Sequence, residues 1–104
     1  MKEFDVIWNE LIASLNPGTE IKHWNPYNGY LGDALTIVTF DPETISIDPP
    51  RVWETQVIPR HDFERVWDIW IDYLALRLER RKIHALTHHS KYIISILHWY
   101  ETEC

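Results

Sequence analysis

RRKIHALTHHSKYIISIL, residues 80–97, opens on three consecutive cations and closes on an apolar run. Its reading decides the fold, because it is either a helix-turn-helix or the corner between two core helices. In the first case a short helix over 81–86 turns Ile83 and Leu86 inward. Residues 87–90 then form the corner, and Thr87 or Ser90 caps the helix that follows. Arg80, Arg81 and Lys82 would contact phosphates, and Lys91, Tyr92 and Ser95 would start or line the recognition helix. In the second case one helix spans 61–86, a corner spans 87–89 and a last helix spans 90–101. The cations at 77–82 then form a solvated helix end, favoured by the helix dipole.

The run I-x-x-L-T-x-x-S followed by I-x-x-L, residues 83–97, resembles the homeodomain-like and resolvase-type helix-turn-helix, where I-A-x-L-T-G-V-S is common. The chain departs from that pattern where its packing is strict. His84 stands at the inward alanine, His88 at the turn glycine and His89 at the small aliphatic residue after it.

Working outward, the segment upstream reads as an amphipathic helix. In HDFERVWDIWIDYLALRL, residues 61–78, Phe63, Trp67, Trp70 and Leu74 fall on one stripe, widened by Val66, Ile69 and Tyr73. No glycine or proline interrupts the chain from Arg60 to its end. The final stretch, 90–101, is apolar nearly all round and therefore needs cover on several sides. A three-stranded sheet and two helices offer too little cover. The sequence thus predicts a homodimer or another protein partner, with Trp67, Trp70, Ile93, Ile96, Trp99 and Tyr100 at the interface.

Toward the N-terminus, EFDVIWNELIASL, residues 3–15, spaces Phe4, Ile7, Trp8, Leu11, Ile12 and Leu15 along one helical face. Asn16-Pro17-Gly18 ends it. Residues 19–33 hold the turn pairs Asn25-Pro26, Asn28-Gly29 and Gly32-Asp33 among aromatic residues, and read as a loop packed on the core. Three strands follow at 35–40, 44–48 and 52–58. Ile45 and Ile47 point to one face, and Trp53, Thr55 and Val57 lie on one side of the last strand. The fold class is α+β in a single domain: an N-terminal helix, a three-stranded antiparallel meander with one wet face, and two C-terminal helices on one sheet face.

Composition narrows the function classes. The chain has 104 residues, is 45% hydrophobic and 25% charged, and carries a formal net charge of −6. Residues 1–59 set Lys2, Lys22 and Arg51 against nine carboxylates, so the whole excess lies there. Residues 77–91 carry Arg77, Arg80, Arg81, Lys82 and Lys91 against Glu79 alone, a local +4. An acidic body disfavours non-specific nucleic-acid affinity, yet a local basic patch is compatible with a specific DNA site. No apolar run approaches the roughly 20 residues that span a bilayer. The single cysteine, Cys104, permits no internal disulfide. These features predict a cytoplasmic protein with no membrane contact.

Catalytic signals are weak. His84 and His88 share a helical face, but Ala85 stands where metalloprotease chemistry needs a glutamate, so no metal site is expected. NGYLGD, residues 28–33, matches no phosphate-binding loop, and no cofactor is implied. Asp33, Asp41, Glu43 and Asp48 sit at turns or on a wet face, where carboxylates usually just solvate. The aromatic set Trp24, Tyr27, Tyr30 and Trp53, with acidic neighbours, would suit a pocket for a small, cationic molecule. Three functions follow in order. The first is a non-enzymatic binding or interaction protein. The second is a helix-turn-helix DNA-binding regulator using 80–95. The third is a small-ligand protein or small enzyme with a pocket around 24–33.

NGYLGD with ALTIV, then VIPRHDFERVWDIWIDYL, then SKYIISIL together resemble a group of small bacterial proteins carried on mobile elements such as integron gene cassettes. The likeness spans residues 22–98. It implies a bacterial cytoplasmic protein and supplies no catalytic residue.

Overall fold

A computed structural model describes residues 2–103; Cys104 lies outside the described residues. The class is α+β, as the sequence predicts, with four strands in place of three. Helix α1 spans Phe4–Ser14 and buries Phe4, Ile7, Trp8 and Leu11, the residues its periodicity selects. Leu15 leaves the helical conformation at ψ 147°, and Gly18 turns the chain at φ +89°.

Strands β1 (Glu20–Asn25), β2 (Gly29–Phe40), β3 (Thr44–Asp48) and β4 (Gln56–Pro59) form one antiparallel sheet in sequence order. The segment read as a loop is therefore a hairpin. Asn25 Oδ1 accepts the N–H groups of Tyr27 and Asn28, both at 2.9 Å, and Gly29 takes φ +69°. This turn chemistry closes the hairpin and lets the flanking residues pair as strands. At the next turn Asp41 Oδ1 accepts Glu43 N–H at 2.7 Å and Thr44 N–H at 2.9 Å.

Cross-strand pairs set the inner face. Ile21 faces Leu35, Ile37 faces Ile47, and Ile45 faces Ile58. All are buried, and they join one hydrophobic core with the helices. The opposite face carries Glu20, Lys22, Thr36, Asp48 and Val57. The last strand is shorter than its 52–58 expectation. Pro49-Pro50 and a left-handed Arg51 (φ +63°) hold 51–55 away from the sheet, and Trp53 is fully exposed at 101%.

Of the two readings of 61–86, the single helix is divided, and the short helix over 81–86 has its counterpart in a helix at Arg80–His84. Helix α2 covers Arg60–Asp68, α3 covers Trp70–Leu74 and α4 covers Arg80–His84. Ile69, at φ −113° and ψ 9°, separates the first two. Leu76, at φ +59°, ends α3. A left-handed leucine is unusual because its Cβ crowds the following carbonyl. Neighbouring bonds fix the turn: Arg77 N–H donates to the Asp72 carbonyl at 2.9 Å, and the Arg77 guanidinium pairs with the Asp72 carboxylate at 2.7 Å. Helix α5 covers Ser90–Glu103 and lies against β1. Among the described residues no helix is long and apolar enough to cross a membrane.

Buried indoles tie the layers together, because a buried N–H needs an acceptor. Trp8 Nε1 donates to the Pro42 carbonyl at 2.9 Å, and Trp67 Nε1 to the Lys2 carbonyl at 3.0 Å. Trp70 Nε1 donates to Glu101 Oε1 at 2.6 Å.

Candidate functional site

The predicted partner surface lies inside the protomer. Trp67, Trp70, Ile93, Ile96 and Tyr100 are buried, and Trp99 is half-buried against the core. The extra strand and the division of 61–86 into short helices supply the missing cover. Apolar area already removed from water by its own chain gives no drive to a dimer. Burial within the protomer thus removes the argument from uncovered apolar area for a second copy at these side chains.

The helix-turn-helix set is also separated. Arg80, Arg81 and Lys82 are exposed on α4, and Lys91 is exposed in the first turn of α5. Arg81 is paired with Glu79 at 2.6 Å, and Arg80 lies over the Tyr27 ring. Tyr92 is half-buried beside the His23 ring, 5.8 Å between centroids. Ser95 is buried, and its hydroxyl accepts the Trp24 backbone N–H at 3.1 Å. Of the α5 residues assigned to DNA, Tyr92 and Ser95 are thus turned against β1 while Lys91 stays in solvent. The corner at 85–89 is real but held from within. Thr87 Oγ1 accepts His89 N–H and donates to the buried Asp62 at 2.9 Å. Burial raises the Asp62 pKa, but hydrogen bonds from Thr87 and His89 outweigh it and hold the carboxyl below its ordinary value.

The aromatic set expected around 24–33 does not converge. Trp24 stacks on His98, 3.7 Å between centroids and nearly coplanar at 3°. Tyr30 meets the same imidazole edge-on. Tyr27 packs instead on Tyr73 and donates its hydroxyl to the Leu78 carbonyl at 2.6 Å. Trp53 stands apart in solvent. The recess beside Tyr30 and His98 is small, about 290 Å³, and Trp24, Tyr27 and Trp53 do not line it. Burial lowers the His98 pKa, opposed by Glu101 and Glu103.

Two further polar sets are internal. His23 is fully buried at the β1 irregularity between Lys22 and Trp24, and its Nδ1 lies 2.6 Å from Asp33 Oδ1. Arg51 adds a second pair to Asp33 at 2.8 Å. His84 Nδ1 bonds to Ser90 Oγ, a hydroxyl buried at the start of α5. Neither dyad opens into a cavity described above. Among the described residues no three His, Cys, Asp or Glu side chains are grouped to hold a metal ion.

A larger concavity than that recess lies elsewhere, between α1 on one side and α2, α3 and α5 on the other. It is an open groove of about 700 Å³. Helix α1 contributes Ile7, Glu10, Ala13 and Ser14 to its wall. Trp67 and Trp70 both line it, three residues apart across the break at Ile69. Ile71 and Leu74 form an apolar rim, and Tyr100 and Glu101 enter from the last turns of α5.

Its polar groups are already aligned. Glu10 Oε1 accepts the Tyr100 hydroxyl at 2.7 Å and the Lys2 ammonium at 3.0 Å. The Tyr100 hydrogen bond, then the Lys2 ammonium, hold the Glu10 carboxyl below its ordinary range. Burial, reinforced by Glu10, pushes the Tyr100 phenol up, so it stays a neutral donor. Glu101 is fixed by the Trp70 indole, and the Ser14 hydroxyl is turned back to the Glu10 carbonyl at 2.8 Å. The groove therefore offers apolar walls and two oriented carboxylates. Sequence reasoning placed Trp67, Trp70 and Tyr100 at a surface for another protein. It did not single out Lys2, Glu10 or Glu101, whose charges sit on helix faces that ordinarily just solvate. No protein-family model, curated protein or solved structure matches this chain.

Proposed function

We propose that this chain is a non-enzymatic binding protein whose site is the groove between α1 and α3–α5, and that its ligand is a small molecule. The observation that carries this reading is the groove itself: about 700 Å³, apolar-walled, with a few convergent polar groups. Sites for small ligands typically occupy about 300–1,000 Å³ and combine those features. The indoles expected to anchor a protein partner, Trp67 and Trp70, are buried in the protomer and lend that alternative no support. The lining supplies recognition rather than catalysis. Glu10 and Glu101 are each fixed by a hydrogen bond, and the Ser14 hydroxyl is turned back into its own helix. A nucleophile needs a base within hydrogen-bond reach, and Ser14 has none among these contacts.

The test is a binding screen of chemically diverse small molecules followed by tryptophan fluorescence, run on the wild type and on Ala13→Trp. Ala13 is exposed on α1 at the groove wall, so a large ring there fills the cavity without entering the core. Compounds that shift Trp67 and Trp70 emission in the wild type, and lose at least about tenfold in affinity to Ala13→Trp, support the groove. Hits that bind both proteins equally, or a screen with no hit, overturn it.

A further inference from the structure

We infer that the ligand of the groove is an organic cation, an ammonium group carried on an apolar or aryl body. This rests on the groove reading and adds the chemical class. The groove already holds such a group: the Lys2 ammonium lies 3.0 Å from Glu10 Oε1 and 3.4 Å from Oε2, beside the Tyr100 hydroxyl. An alkylammonium from the chain's own N-terminal segment is thus a resident stand-in for the charged end of the ligand.

The charge count agrees. Glu10 and Glu101 against Lys2 leave the lining with one uncompensated carboxylate, Glu101. Its only hydrogen bond among the described residues is from the neutral Trp70 indole, 2.6 Å away. That bond aims the carboxylate and leaves its charge unpaired. A ligand ammonium placed at Glu101 gains a charge-assisted hydrogen bond. Its hydrocarbon body meets Ile71, Leu74 and the indoles, and rings beside a cation add quadrupole attraction. An anionic ligand would face both carboxylates with only Lys2 in favour. A neutral ligand would gain the walls and at most an uncharged donor's bond to Glu101. Lys2 has a second role in this scheme. Its side chain is exposed by 60%, so it can swing off Glu10 and yield that carboxylate to a second positive group or a longer cation.

The experiment compares 4-phenylbutylamine, 4-phenyl-1-butanol and 4-phenylbutyrate, which share one body and differ in the charge of the end group. Affinity is measured by titration calorimetry, with tryptophan emission to place the ligand. The ammonium is expected to bind at least about tenfold more tightly than the alcohol, consistent with a charge-assisted bond. The carboxylate is expected to bind weakest, and added salt narrows the spread. Glu101→Gln keeps an acceptor for Trp70 and should abolish the preference for the ammonium over the alcohol. Lys2→Ala should tighten ammonium binding about two- to fivefold, the range of an exposed ion pair. An alcohol or carboxylate that binds as tightly as the ammonium overturns the cation while the groove reading stands. So does a Glu101→Gln protein that keeps the preference. Ammonium binding that survives Ala13→Trp undiminished overturns the groove, and with it this inference. Failure of all the probes, including the ammonium, overturns the cation class directly.

Discussion

The Ser95 hydroxyl accepts the backbone N–H of Trp24 at 3.1 Å, joining the middle of the last helix to the edge of the sheet. Strand β1 has a neighbour on only one side, so this amide would otherwise be an unpaired donor on an edge strand. The same hydroxyl donates to the Lys91 carbonyl at 3.2 Å, so both its functions are used within the fold. A residue that reads as a DNA contact in a helix-turn-helix alignment serves here as an edge cap.

Ser95→Ala should therefore destabilise the protein by about 1–2 kcal/mol, the cost of leaving a largely buried donor without its acceptor. Urea unfolding at neutral pH measures it. A change below about 0.3 kcal/mol would show that the edge amide finds another acceptor and that Ser95 is not the cap.

Ile96 has no exposed surface in the protomer. Ile96→Asp should unfold the chain rather than separate two copies, because a buried unpaired carboxylate costs more than about 4 kcal/mol. Trp53→Ala, at a fully exposed ring, should change stability by less than about 0.5 kcal/mol. Circular dichroism with solution mass distinguishes the cases. A folded, lighter Ile96→Asp species would restore the dimer interface that the burial pattern removes.

Leu76 is exposed and left-handed, at φ +59°. Left-handed backbone costs a leucine about 1–2 kcal/mol, and glycine gives back about 0.5–1 kcal/mol through its looser unfolded state. Leu76→Gly should thus be neutral or stabilising by up to about 1.5 kcal/mol, read as a rise in Tm. A loss exceeding about 1 kcal/mol would mean that the leucine side chain packs in a way its exposure does not reveal.

Asp33 supplies one acid-sensitive contact, beside those of Asp62 and Glu10. The hydrogen bond with His23 chiefly, against burial, holds its carboxyl below the ordinary carboxylate value in the folded state. The stabilisation is complete above the unfolded value of about 3.9 and disappears as pH falls through the lower folded value. Unfolding free energy of the wild type should therefore decline steeply below about pH 4. Asp33→Asn should flatten that decline and cost about 1–3 kcal/mol at neutral pH, since it weakens the one partner of a fully buried imidazole. Equal acid slopes for the two proteins would remove Asp33 from the account.

His98 acts over a higher range. Burial against Trp24 lowers its pKa in the folded state, despite the acidic Glu101 and Glu103 nearby. The folded chain then binds protons less readily than the unfolded chain. Stability from this residue is full above about pH 6.5 and falls as the solution is acidified below it. His98→Gln should make Tm less dependent on pH between about 7 and 5. An unchanged slope would place the titration elsewhere, with His84, whose pKa is also lowered, the next to test.

The sequence alone determined the elements whose local pattern and tertiary burial agree. Phe4, Ile7, Trp8 and Leu11 recur at the helical period, and α1 buries them. Ile45 and Ile47 alternate, and β3 turns both inward. The hairpin of β1 and β2 was hidden because its turn residues outweigh its short extended arms, and only pairing from Glu20–Thr36 to Asn25–Gly29 makes them strands. The breaks within 61–86 were hidden for the opposite reason. Ile69 and Leu76 carry no sign of a turn, and Leu76 holds a conformation that sequence reading assigns to glycine. Cover for the apolar last helix is a sum over the whole chain, so its amount could not be read from the helix itself. The groove is the extreme case. Lys2, Glu10, Trp70 and Glu101 come from both ends and the middle of the chain, and no local periodicity relates them. Their meeting is decided by how α1 and α5 pack around the indoles, a property of the assembled core and not of any segment.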